Sequence, residues 1–485
     1  MVRSRALDSV IDPSSSIDII TMWAEAGYEW WTRVNCLNQT HFSEHTCRLV
    51  KTLDKKRFRI YSVKPLTENG YDVLFPDGDV RHKGNHSGVL ILDPFPAARF
   101  GHPVLVFLAS AGQSTSQCDS RKGFFVGEAC LQPLLRTHCN RLINIQRPQS
   151  RPSAVSHCGE VIFLPLVYLA ADASVQENDQ LQCFSNITGF YNDCPRLRPK
   201  SETDQTACDP ITTNRDCGFS ENSLEGRCTM SQTCDHAVLL SGGWNRQLSD
   251  VSTLQNIRGV KNILQLHGYL RSNIISFYAN GQQLSNSDDE EVSYYPATVK
   301  NLIRNHIQAI CRSELCADTF FIYLNSPARP DGSSLLWDRP SFSNGQYDDT
   351  EIYTAKELLR DVSNCKANRV VIMADQSYGA AFVSAAVARF DYLKNVAIFT
   401  STDEFNWHSP KDRITRSFLK YTEREICLND LKNSFYKTYK TALFIGSNAD
   451  LLNSTIIGAP CNSKSTSLND PSNEKYRGCS LNSLA

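Results

Sequence analysis

The sequence predicts an α/β protein. A parallel sheet covered by helices on both faces occupies the carboxyl-terminal half, preceded by a β-rich disulfide-containing domain and a cysteine-rich connector. Three observations predict this. After Asp235, continuous apolar runs alternate with helical patterns, as strands buried on both sides of a parallel sheet require. From about residue 21 to 171, short apolar runs sit between turn residues, the pattern of strands in an all-β region. Between about 172 and 234, Cys183, Cys194, Cys208, Cys217, Cys228 and Cys234 crowd together with few large apolar residues among them.

Residues 1–20 read as a leader of unclear status. The start, MVRSRALDSVIDPSSSIDII, is basic but lacks the apolar centre of a signal peptide. In the β-rich domain, 21–171, the runs GVLIL (88–92), VLVFL (104–108) and VIFLPLV (161–167) are strand candidates. Cys36, Cys47, Cys118, Cys130, Cys139 and Cys158 are expected to staple it. Trp23, Tyr28, Trp30 and Trp31 form an aromatic cluster that suits either a carbohydrate platform or a core, and the core is the commoner use.

The connector, 172–234, buries too little apolar surface to stand without its cross-links. In 235–460 the expected strands are 237–241, 273–278, 319–324, 370–374 and 396–400. Helices are expected where Leu254, Ile257, Val260, Ile263 and Leu264 share a face, and after Pro296, where Val299, Leu302, Ile303, Ile307 and Ile310 do. Two more are expected at 355–362 and 379–390. Residues 461–485 are a tail.

Composition narrows the class. The 50 Lys and Arg balance 51 Asp and Glu, so no electrostatic case exists for a nucleic-acid or membrane-surface partner. No apolar run approaches the roughly 18 residues that would span a bilayer. Eighteen mostly isolated cysteines suit disulfides better than zinc, and the close pair Cys311 and Cys316 has no second pair to complete a metal site. Sequons begin at Asn38, Asn85, Asn186 and Asn453 and read as N-glycosylation acceptors. A secreted, extracellular glycoprotein is expected, with its signal segment missing from this chain.

The stretch NRVVIMADQSYGAAF, 368–382, is an apolar strand that breaks into a polar turn and then a helix. Such a turn at the carboxyl end of a buried strand is a common place for chemistry. The run of elements HAVLLSGGWNRQLSDVSTLQN, NIISFYANG, FFIYL and VVIMA resembles the legumain-type peptidases of the caspase-like, hemoglobinase fold, over about 235–410. The resemblance implies a three-layer sandwich, a general-base histidine in the turn after FFIYL and a nucleophilic cysteine in the turn after VVIMA. This sequence has Asn325 and Ser326 at the first turn and Gln376 at the second. Without a thiolate and a nearby base, cysteine-type hydrolysis cannot proceed. The resemblance therefore implies a pseudoenzyme.

Ser377 offers a second chemistry. Asp375-Gln376-Ser377-Tyr378-Gly379 is one residue short of a nucleophile elbow, and Asp403 or Glu404 with His408 follow in hydrolase order. The alternative is that Ser377 caps the next helix. Gly242, Gly243, Trp244 and Asn245 end the first strand and, with Asp375, Gln376 and Ser377, are the cleft candidates; a plain tight turn is the bland account of the first four. Asn344 to Glu351 has the glycine-to-glutamate spacing of a calcium loop, but Pro340 and Phe342 offer no ligand oxygen where two are needed. The spaced pairs His41/His45 and His82/His86 read as loop residues, and His267 and His306 as structural or surface residues. No cofactor is expected.

The expected function is non-catalytic binding of an extracellular protein or peptide. The alternatives are a serine-type hydrolase using Ser377 with His408, and a structural matrix protein whose cleft is filled by its own side chains.

Overall fold

The computed structural model describes residues 13–36, 44–63, 65, 71–74, 81–96, 104–120, 122–133, 168–170, 182–194, 232–243, 251–278, 294–297, 299–328, 332–336, 352–401, 413–422, 425–439, 443–461, 471 and 476–481. The chain divides into two compact units near residue 195.

The first unit begins with helices α1 (Pro13–Arg33) and α2 (Glu44–Lys51). Strands β1 (Arg59–Ser62), β2 (Tyr71–Leu74), β3 (Arg81–His86), β4 (Gly88–Asp93) and β5 (Leu105–Ala111) follow. Helix α3 (Thr115–Ser120) leads to β6 (Phe124–Val126), β7 (Ala129–Pro133), β8 (Tyr168–Ala170) and β9 (Gln182–Phe184). An antiparallel sheet has the order β6-β7-β5-β4-β1-β9, and a smaller one the order β3-β2-β8.

The sequence pattern predicts strands alone in this region, and α1 corrects that expectation. Ile20, Trp23, Ala24, Trp31 and Val34 recur at helical intervals and pack on Leu90, Leu92, Phe107 and Leu131 of the sheet. Trp23 lies so close to Gly88 that a Cβ there would meet its ring at 2.7 Å. The aromatic cluster is core: Trp23 and Trp31 are buried, and Trp30 stacks on Phe124. The expected strand at 161–167 lies outside the described residues. β9, from the segment read as connector, pairs with β1, and Cys183 bonds Cys194 beside it. Cys36–Cys47 and Cys118–Cys130 staple the unit.

The second unit runs β10 (Gln232–Ser241), α4 (Val251–Leu266), β11 (Ile274–Tyr278), β12 (Tyr295–Pro296), α5 (Lys300–Arg312) and β13 (Ala317–Leu324). It continues with β14 (Ser334–Leu335), β15 (Ile352–Tyr353), α6 (Ala355–Asp361), β16 (Arg369–Ala374), α7 (Ala380–Val387) and β17 (Val396–Thr400). Helices α8 (Arg413–Phe418) and α9 (Leu428–Tyr439) and strands β18 (Leu443–Ile445) and β19 (Cys479–Leu481) complete it.

The main sheet has the order β12-β11-β10-β13-β16-β17-β18. Its first six strands are parallel, β18 is antiparallel, and β19 pairs antiparallel with β10. Alternate strand residues face opposite sides. Val238, Leu240, Phe320, Ile322, Val370 and Ile372 pack under α5, α6 and α7, while Leu239, Phe321, Tyr323, Val371 and Met373 pack under α4, α8 and α9. The five expected strands are all present. Pro296, however, sits in β12 rather than opening a helix, and α5 begins at Lys300.

Among the described residues, three disulfide pairs tie this unit. Cys234–Cys479 joins β10 to β19, Cys311–Cys365 joins the end of α5 to the approach to β16, and Cys427–Cys461 spans α9 and the following turns. Cys316 is also disulfide-bonded. Cys311 and Cys316 therefore both serve cross-links.

Candidate functional site

Parallel sheets place functional turns at the carboxyl ends of their strands, and four such turns converge here. Ser241 and Gly242 leave β10, Asn325 and Ser326 leave β13, Asp375 to Gly379 leave β16, and Thr400 and Ser401 close β17. All these residues are buried.

They are tied to one another by hydrogen bonds. Ser241 Oγ donates to Asn325 O at 2.9 Å, and Gly242 N donates to Ser326 Oγ at 2.8 Å. Asn325 Nδ2 donates to Asp375 O at 2.7 Å, while Asn325 Oδ1 accepts from Asn256 of α4 at 3.2 Å. Asp375 Oδ2 accepts from Thr415 N at 3.0 Å and from the Thr415 hydroxyl, which Tyr323 OH contacts at 2.7 Å. This carboxylate therefore anchors the first turn of α8.

Gln376, in the turn that leaves β16, is 2 % exposed. Its Oε1 accepts from Ser334 Oγ at 2.9 Å and its Nε2 donates to Gly332 O at 3.1 Å. Its backbone carbonyl accepts from Ser401 Oγ at 3.3 Å. The amide thus fastens an extended strap, Gly332 to Leu336, over the crest. The strap also accepts a bond from Gly243 N through Leu336 O at 3.1 Å and donates one from Leu335 N to Pro327 O at 2.8 Å. A Cβ on Gly242 would meet Leu335 O at 1.9 Å, so only glycine allows this approach.

The strap is held from outside as well. β14 pairs with β15, which runs into the capping box of α6, where Thr354 and Glu357 satisfy each other's amides. Tyr353 OH donates to Asp361 Oδ2 at 2.9 Å, and Arg304 of α5 grips that carboxylate with two bonds of 2.8 and 2.7 Å. Burial beside Asp361 pushes the Tyr353 phenol well above its ordinary range.

Ser377 is 3 % exposed, and the strained residue of the turn is its neighbour Tyr378, with φ of +56° and 2 % exposure. The N-cap position of α7 is Gly379, which has no side chain with which to cap. Asp403, Glu404 and His408 lie outside the described residues, as do Trp244, Asn245 and the span from Asn344 to Glu351. His267 of the described set is bonded elsewhere, to Glu425 at 3.0 Å and to Tyr421 O at 3.1 Å. His236 stands at the amino end of β10, 3.7 Å from Cys316 Sγ. His86 contacts Ser110 at 3.3 Å on β5.

Towards the amino-terminal ends of the strands, β10 holds a buried acid, Asp235. Asp235 Oδ1 accepts from Thr319 N at 3.1 Å, while Oδ2 is buried without a hydrogen-bond partner. Burial first, then the charge of Asp318, pushes its carboxyl well above the usual range. Asp318 is itself paired with Arg369.

Of the sequons, Asn186 and Asn453 are exposed. Asn85 lies on β3 with its side chain outside the described residues, and Asn38 lies outside them altogether. Sequence reading missed Ser334, Gly332, Ser401 and Thr415. Each acts by contacting a turn distant along the chain, so no local spacing announces it. No family model matches the chain, and no curated protein matches it either.

Proposed function

We propose that this chain is a non-catalytic, N-glycosylated extracellular protein whose legumain-like α/β domain has been closed over at the crest and acts as a structural or protein-binding module. One observation carries the reading. Where a thiol nucleophile would stand free to meet a substrate, Gln376 is buried and its amide is spent on both a donor and an acceptor of the chain's own strap. An amide is neither a nucleophile nor a base, and a peptide cannot lie where Gly332 to Leu336 already lie.

Filling of the crest favours contact through outer surfaces over peptide capture in a cleft, and it places the structural reading ahead of the hydrolase one. The paired disulfides support an oxidising compartment. The test is labelling of the folded full chain with a fluorophosphonate and with a cysteine-directed peptidase probe. Neither is expected to react. Fluorophosphonate labelling that vanishes in Ser377→Ala would overturn the proposal in favour of a serine hydrolase.

A further inference from the structure

The sequon Asn453-Ser454-Thr455 sits at the mouth of a tight turn. Asn453 is exposed, but Thr455, which the modifying enzyme must also read, is 2 % exposed, and Ser454 between them is 7 % exposed. Thr455 N donates to Ala459 O at 2.8 Å, Cys461 N donates to Asn453 O at 2.8 Å, and Ser454 bridges Pro460. Thr455 also bridges Cys427, and Cys427–Cys461 locks the whole arrangement.

The Thr455 hydroxyl is buried without a hydrogen-bond partner. Inside the fold a valine would fill the same space without stranding a polar group. The hydroxyl therefore has no use in the folded state, whereas an Asn-x-Thr acceptor requires it. The exposed asparagine and the stranded threonine are explained together if the site is read before the turn forms.

We propose that Asn453 is glycosylated only while residues 453–461 are open, and that formation of the Cys427–Cys461 disulfide ends that window. In the step, Asn453 Nδ2 loses a proton and forms a bond to the sugar's anomeric carbon. The anomeric carbon–oxygen bond to a lipid pyrophosphate donor breaks, and the lipid pyrophosphate leaves. This inference rests on the secretory reading above. In sequence alone, Asn38 falls between Cys36 and Cys47, and Asn186 between Cys183 and Cys194.

The experiment uses the full chain made without glycans, then incubated with purified oligosaccharyl transferase and its lipid-linked donor; occupancy at Asn453 is read by mass spectrometry of the glycopeptide. The oxidised wild type is expected to gain no glycan there, and the reduced, unfolded chain to gain one. The double variant Cys427→Ser, Cys461→Ser is expected to accept it without reduction. Cys311→Ser with Cys365→Ser, which opens a different disulfide of the same unit, is expected to behave as wild type and so controls for general loosening. Thr455→Val is expected to lose the glycan in every state with no fall in melting temperature. Transfer to the oxidised wild type, or equal gain in both cysteine double variants, would overturn the inference. The secretory reading fails separately, if chains recovered from the medium of cells expressing it behind a secretion leader carry no glycan at any sequon.

Discussion

Gln376 and Ser334 are joined by a 2.9 Å hydrogen bond between a turn of the main sheet and the strap that covers it. The relationship makes the Gln376 amide a structural part of the turn. Gln376→Cys is expected to leave the Ser334 hydroxyl and the Gly332 carbonyl without this partner in a buried place, destabilising the unit by about 1–3 kcal/mol. Urea unfolding with an unchanged m-value reads the loss. Adding Ser326→His to introduce a base is expected to give no peptide hydrolysis, because the strap still lies over the crest. Cleavage by that double variant would show the crest to be open.

Asp375 and Thr415 form the second tie. Asp375 Oδ2 accepts from both the amide and the hydroxyl of Thr415, and all three groups are buried. Thr415→Val keeps the amide bond and removes the hydroxyl one, so a loss of about 0.5–1.5 kcal/mol is expected. Tyr323→Phe, which removes the other contact of that hydroxyl, is expected to be non-additive with it. A double-mutant cycle should return a coupling of about 0.5–3 kcal/mol. Strict additivity would mean that the three groups do not act as one network.

What was legible from sequence follows from range. The strands β10, β11, β13, β16 and β17 are continuous apolar runs, a signal contained within each element, and all five stand where their residues indicated. The convergence of Gly242, Asn325 and Gln376 on one crest followed from that topology. The strap did not, because β14 and β15 are two residues each and carry no periodicity. Helix α1 was hidden by Trp23, Tyr28, Trp30 and Trp31, whose β-favouring side chains outweighed the helical spacing of the buried ones. A proline before a helical pattern predicts a helix opener, yet the fixed φ of Pro296 serves a short edge strand equally well.

Two disulfides of the second unit differ in the chain they enclose: Cys234–Cys479 is separated by 245 residues and Cys427–Cys461 by 34. Cross-links restrict the unfolded chain more when the loop is longer, so removing the first pair is expected to destabilise by about 1–2 kcal/mol more than removing the second. Both variants carry serine at the two positions, and chemical denaturation compares them. An equal loss would show that the native pairing of β19 on β10, rather than chain entropy, sets the contribution.

Asp235 gives the second unit a pH response of unusual sign. Its folded carboxyl titrates well above the ordinary 3.8, chiefly through burial and then through Asp318, with Thr319 N and Arg369 pulling the other way. Across the interval from 3.8 up to that raised value, the folded chain holds a proton that the unfolded chain has released. Stability contributed by this group is complete below the interval and is lost as pH rises through it. Asp235→Asn keeps an oxygen for Thr319 N and removes the ionisation. The difference in unfolding free energy between variant and wild type is therefore expected to move in the variant's favour with rising pH, approaching about 1.4 kcal/mol per pH unit within the interval. Asp318→Asn in the wild-type background should shorten the interval by withdrawing a neighbouring negative charge. Parallel stability curves for wild type and Asp235→Asn between pH 4 and pH 8 would mean that this carboxyl is ionised at its ordinary pH despite its burial.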